Sequence, residues 1–123
     1  MTFYSVRLEL ARSKEAPEGD AGHGYTFIAP LDSSGHLDAA VWKTSKAKCV
    51  VTRFTRSSDE QKGLLAHVGL GWHFDYDPQR REDDEPLFKL DRHAVKEGEY
   101  LSITEHDGVL RTFKVVSVKL VGS

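Results

Sequence analysis

The chain has a single cysteine among its 123 residues, so Cys49 has no intrachain partner. This excludes a disulfide scaffold and any structural zinc site that needs two or more thiolates. Long apolar runs are also missing. The longest extend only a few residues, against the ~20 that a spanning helix requires, which excludes a transmembrane helix. The start, Met1-Thr2-Phe3-Tyr4-Ser5-Val6-Arg7, has neither a basic opening nor the apolar stretch of a signal peptide. A lone thiol and such a start point to the cytoplasm and to no membrane partner. Heptads are absent and glycines are scattered, which excludes a coiled coil. An excess of one charge is lacking too. Seventeen Lys and Arg against 19 Asp and Glu leave −2, which disfavours a generic nucleic-acid binder. The apolar fraction is 39 %, and with the 10 glycines added it reaches an ordinary value. The length fits one domain, residues 1–123, large enough to build a core without staples.

What is present is a period of two. Leu64, Ala66, Val68, Leu70, Trp72, Phe74 and Tyr76 fill every even position of 64–76, the pattern of a half-buried strand. At ~3.3 Å per residue a straight strand of that length would overshoot a compact domain. It must therefore bend or turn, and Gly69 and Gly71 mark the place; a bent strand shared between two halves of the fold is the favoured reading. The N-terminal strand spans about 2–11, with Val6, Leu8 and Leu10 inward. Residues 13–24 read as a surface loop, followed by a strand at about 25–31 and a turn at Asp32-Ser33-Ser34-Gly35. Residues 37–46 fit a helical stripe (Leu37, Ala40, Val41) as well as an alternation (Leu37, Ala39, Val41), and are read as strand. Residues 48–56 form a further strand. Ser58 and Gln61 could cap one helical turn stopped by Gly63, and residues 77–86 form a second surface loop. A short element at 87–90 precedes one helical turn over 91–97, capped by Gly98.

The register of the last hairpin can be argued. Strands at about 99–105 and 109–121 joined by His106-Asp107-Gly108 pair Leu101 with Phe113 and Glu105 with Val109. That register gathers Leu101, Ile103, Val109, Phe113 and Val115 on one face, with Glu105 and Arg111 as the exceptions. Gly108 then takes the left-handed position of a bulged three-residue loop. The alternation shifts at Val115-Val116. The whole predicts an all-β fold: a small barrel or sandwich of six or seven short antiparallel strands, with at most one or two single-turn helices.

Catalytic signatures are absent from the sequence: no Gly-x-Ser-x-Gly elbow, no phosphate loop, no His-Glu-x-x-His. No catalytic residue, metal ligand set or cofactor is assigned. The candidate ligand-binding residues are His67, Gly69, Gly71, His73, Asp75 and Asp77. His73 and Asp75 lie two apart on one strand face, so one cation could bridge them or the carboxylate could orient the imidazole. Gly69 and Gly71 leave room for a ligand or a neighbouring backbone. His23, His36 and His106 read as solvated turn residues, and Cys49 as a buried inert thiol. Asp83-Asp84-Glu85 reads as a solvated loop, too exposed for acid–base work.

The leading functional expectation is a non-enzymatic binding or interaction module that engages a protein, a small molecule or, through exposed sheet edges, a second copy of itself. One alternative is a small metal-dependent enzyme or metal-binding protein built on His73 and Asp75. A further alternative is nucleic-acid binding through the basic run Lys43, Lys46, Lys48, Arg53 and Arg56, with Trp42 and Phe54 as stacking partners.

Overall fold

A computed structural model describes residues 3–14, 16–56, 60–68, 71–76, 85–88, 94–105 and 107–122. The strands are β1 (Phe3–Leu10), β2 (Asp20–Pro30), β3 (Val50–Phe54), β4 (Gln61–Val68), β5 (Gly71–Asp75), β6 (Glu85–Phe88), β7 (Tyr100–Thr104) and β8 (Leu110–Gly122). Each pairs antiparallel with the next, and β8 returns to β1, closing a barrel. One helix, α1 (Ala39–Thr44), and a single 3₁₀ turn (Lys46–Lys48) lie between β2 and β3. The fold is therefore all-β, and of the two expected architectures it is the barrel. In the closed ring every one of these strands has a paired neighbour on each side.

Among the described residues the strand count is eight rather than six or seven: 85–88 supplies a strand, 37–46 does not, and two strands share 64–76. This segment is not one bent strand but an antiparallel hairpin: Val68 pairs with Gly71 and Leu65 with Phe74. Only Gly69 and Leu70 separate the paired ends, and both lie outside the described residues. A two-residue connection pairs odd positions with even ones. The inward face therefore changes parity at the turn: Leu65 is inward in β4, and Trp72 and Phe74 are inward in β5. Leu64, which shares its parity with Trp72 and Phe74, is 40 % exposed.

Five further expectations are revised. Residues 37–46 are not a strand; Asp38 caps α1 by accepting from Val41 N at 3.1 Å, and that capping bond holds the local helical choice. The loop at 13–24 is shorter than expected, because β2 begins at Asp20. The loop at 77–86 ends before Glu85, the first residue of β6; residues 77–84 lie outside the described residues. Gln61 and Gly63 belong to β4 rather than to a capped turn, and Ser58 is outside the described residues. Residues 94–97 are not helical, while 91–93 are outside the described residues; Gly98 does take a left-handed φ of 90°.

The last hairpin has the expected register. Leu101 pairs with Phe113, Gly108 N donates to Glu105 O at 2.8 Å, and Gly108 has φ 81°. Val109 departs from the expected inward set and is 39 % exposed. The shift at Val115-Val116 appears as a bulge: Leu8 pairs with Val115 and Arg7 with Ser117.

The interior is filled by side chains. Val6, Leu8, Phe27, Phe74, Ile103, Phe113 and Val115 are fully buried. Each such side chain contributes roughly 1.5–3 kcal/mol of burial. Tyr25 packs at 5.0 Å on the ring of Phe74 and at 5.2 Å, edge-on, on Phe113. The two ends of the barrel differ. At the end where β2 leaves and β3 begins, Trp42 of α1 is buried, donates Nε1–H to Leu65 O at 2.8 Å, and meets Trp72 and His67 edge-on. This aromatic cluster fills that end. The opposite end is polar.

Candidate functional site at the polar mouth

The polar mouth is assembled from the ends of six strands. His23 and Tyr25 come from the start of β2, Arg53 from the end of β3, and Tyr76 follows β5. Glu85 opens β6, Glu105 follows β7, and Arg111 lies near the start of β8. Up-and-down pairing brings all of these termini to one end. Cross-strand pairing then sets neighbours: Tyr25 lies beside Arg53, and Phe74 beside Glu85. His23 reaches the mouth through a bulge, since Glu9 pairs with Gly24 but Leu10 with Asp20.

Glu105 is the hub. It is 2 % exposed, and His23 Nε2 lies 3.0 Å from each of its oxygens. Its Oε2 accepts from the Tyr25 hydroxyl at 2.6 Å and from Arg53 Nε and Nη2 at 3.2 and 3.1 Å. Its Oε1 accepts from Arg111 Nη1 at 3.0 Å, and the same nitrogen bonds Asp107 at 2.9 Å. Glu85 is 0 % exposed; its Oε1 lies 2.9 Å from the Tyr25 hydroxyl and 2.7 Å from the Tyr76 hydroxyl. Arg53 Nε sits 3.5 Å from Glu85 Oε2.

These contacts move the titrations in opposite directions. Burial pushes the Glu105 carboxyl up, but the hydrogen bonds from His23 and Tyr25 and the charges of His23 and Arg53 outweigh it, and the group sits at about 2. Burial, reinforced by the charges of Glu85 and Glu105, drives Tyr25 far above its ordinary value. Burial and the neighbouring Glu85 do the same to Tyr76. Both phenols therefore keep their hydrogens at neutral pH.

The donors face outward and the acids lie beneath. The side chains of His23, Arg53 and Arg111 are 18, 13 and 17 % exposed, against 1 % for Glu105 and 0 % for Glu85. Asp107 is the acid at the rim, 53 % exposed, with Arg111 as its partner. Such a rim can hold a hydrogen-bond acceptor or an anion.

Of the described candidate ligand-binding residues, His67, Gly71, His73 and Asp75, none is among the side chains that form this network. His67 stacks on Trp72 at 4.2 Å, at the aromatic end. His73 and Asp75 share the opposite, outer face of β5, so His67 does not join them. His73 Nδ1 and Asp75 Oδ1 are buried without a hydrogen-bond partner. Gly71 opens β5, and Gly69 and Asp77 lie outside the described residues. Among the described residues no group of three or more His, Cys, Asp or Glu is placed to hold a metal ion.

Two readings are corrected by the mouth itself. His23 is a strand residue bonded to Glu105, not a solvated turn residue, and Glu85 is a buried acid rather than part of a solvated loop. His106 lies outside the described residues. The signal that pointed to the site was the pair of exceptions on the last hairpin, Glu105 and Arg111: charged residues on an otherwise apolar inward face. The basic run is divided. Arg53 points into the barrel, Arg56 pairs with Asp20 at 2.7 Å, and Lys46 and Lys48 lie over the rings of Trp42 and Phe3. Trp42 is buried, and Phe54 is covered by the Arg7 guanidinium at 4.5 Å. Cys49 is fully buried, and burial pushes its thiol up to about 11.

The chain matches no known protein family, no curated protein and no solved structure. Among the described residues no helix is long and apolar enough to cross a membrane.

Proposed function

We propose that the protein is a binding barrel that takes a small organic anion at its polar mouth, with His23 and Arg53 as the groups that meet it. The observation that carries this reading is the layering of charge. Donors sit at the partly exposed rim, and the two carboxylates that hold them in place are buried beneath. An eight-stranded barrel fills its interior with side chains and needs no charge to do so. Buried ion pairs are often no more stabilising than apolar groups of the same volume. A cluster of four charged side chains plus two phenols and an imidazole at a barrel mouth is therefore better explained by a ligand than by stability. Arg53, held by Nε and Nη2 on Glu105, presents a planar guanidinium suited to a ligand carboxylate or phosphate. A buried lone thiol suits the reducing cytoplasm.

The test is a titration of the ¹⁵N-labelled protein with acetate, benzoate and inorganic phosphate. Saturable shifts at His23 and Arg53, weakened by added salt, are expected. Shifts at Trp42 and His67 instead, or none with any probe, would overturn the reading.

A second reading places a cation at His73 and Asp75. It rests on the two buried polar atoms there that lack partners. Native mass spectrometry of the purified protein would show a stoichiometric metal that is lost in His73→Ala. The apo mass alone would remove this reading.

A further inference from the structure

We infer that His23 stands at the mouth as the Nε2–H tautomer with Nδ1 as a bare acceptor, and that the anion taken there is a hydroxycarboxylate, whose hydroxyl donates to that nitrogen while its carboxylate meets Arg53. This rests on the anion proposed above and narrows it to one class. The ring comes first. His23 Nε2 lies 3.0 Å from each oxygen of Glu105. Glu105 is a carboxylate at neutral pH, since it also accepts from Tyr25 at 2.6 Å, from Arg53 at 3.1 Å and from Arg111 at 3.0 Å. A carboxylate only accepts. A bare ring nitrogen between its oxygens would set lone pairs against each other beside a residue that is 2 % exposed. Nε2 therefore carries a hydrogen, shared between the two oxygens. Turning the ring over would put Cε1–H there instead and give up both contacts.

A neutral imidazole has one ring hydrogen, so with Nε2 protonated Nδ1 is an acceptor. Among the described residues His23 forms its hydrogen bonds through Nε2 alone. The nearby acid, Asp20, is engaged elsewhere: it accepts from Gly22 N at 2.8 Å and from Arg56 Nε at 2.7 Å. Phe113 meets the ring edge-on at 5.6 Å and brings no polar atom. The buried side-chain atoms without a partner among the described residues are His73 Nδ1 and Asp75 Oδ1, so the unpartnered Nδ1 of His23 is open to solvent.

The mouth thus sets a cation and an acceptor side by side, because Arg53 and His23 are both held on Oε2 of Glu105. An anion with acceptors alone satisfies Arg53 but turns lone pairs towards Nδ1. A carboxylate with a hydroxyl on the adjacent carbon satisfies both groups. His23 is then the residue that sets specificity, and Arg53 the one that meets the charge.

The experiment joins ring ¹⁵N NMR to titrations with acetate and glycolate, which differ by one hydroxyl. At the alkaline end of the His23 titration, where the ring is neutral, Nε2 should be protonated and Nδ1 bare. That measurement needs neither a ligand nor a variant. Under the same conditions glycolate should bind roughly three- to tenfold tighter than acetate, the worth of one hydrogen bond. It should also move the Nδ1 signal upfield, as an accepted hydrogen bond does, and further than acetate moves it. The opposite tautomer, a mixture of the two, equal affinities, or a glycolate preference without the upfield shift would overturn the inference while acetate binding kept the anion reading standing. Saturable binding of neither probe would overturn the anion reading itself, and this inference with it.

Discussion

His23 Nε2 lies within 3.0 Å of both carboxylate oxygens of Glu105, although 82 positions separate the two residues. The contact joins the first turn of chain in β2 to the residue that leaves β7. It makes Glu105 the point where β2, β3 and β8 are tied together, and stability should depend on its charge.

The first prediction concerns pH. Glu105 sits at about 2 against an ordinary 4.5. A carboxyl lowered on folding stabilises the fold above its unfolded pKa, and the contribution disappears as pH falls through the folded one. Linkage gives roughly 3 kcal/mol, present above about pH 4.5 and lost towards pH 2. Urea unfolding of Glu105→Gln should show a large loss at pH 7 and a flatter acid limb. An acid limb as steep as that of the wild-type protein would count against this role.

Removing one partner of the network should cost more than removing two. Arg53→Met leaves Glu105 and Glu85 buried with less positive charge, and the loss should be about 3–5 kcal/mol. Adding Glu105→Leu to Arg53→Met should recover at least part of it, because Arg111 retains Asp107. Additive losses in the double-mutant cycle would show that the two residues act separately.

Two glycines should respond differently to alanine. At Gly108, φ is 81° and nothing lies within 4 Å of the new Cβ, so only the left-handed backbone is unfavourable, by about 1–2 kcal/mol. At Gly24 the Cβ would run into the Leu8 carbonyl oxygen in the neighbouring strand. Gly24→Ala should therefore be far more destabilising in thermal unfolding. Equal losses would mean that β1 and β2 can separate at little cost.

Cys49 should be unreactive in the native state. Its thiol is fully buried and sits at about 11, above the usual 9. At pH 8 roughly one thiol in a thousand is ionised, so a disulfide reagent should react only after guanidinium unfolding. Fast stoichiometric labelling of the folded protein would contradict this environment.

The sequence by itself determined the class of fold and much of its local detail. Alternation of period two fixed strand over helix for β1, β7 and β8, and a run of β-branched residues did so for β3. Gly108 fixed the last hairpin, because a bulged three-residue loop needs a residue at positive φ. The inward charges Glu105 and Arg111 were visible as breaks in that hairpin's apolar face. Residues 37–46 carried a helical stripe as well as an alternation, and the Asp38 cap together with the contacts of Trp42 to Leu65 and Trp72 holds the helix.

Only the tertiary structure decided the rest. Within 64–76 the alternation is unbroken across the turn, because a two-residue connection changes the inward parity without interrupting the apolar pattern. A single strand and a hairpin therefore look alike in sequence. Barrel closure depends on β1 meeting β8, a pairing of the two ends of the chain that no local pattern encodes. The mouth has the same origin. His23 and Glu85 stand next to turn-forming or charged residues and read as surface, Arg53 reads as part of a basic run, and Glu105 shows only as a break in an apolar face. They become a buried cluster because an up-and-down barrel gathers alternate strand ends at one place, where opposite charges and phenols satisfy each other away from water.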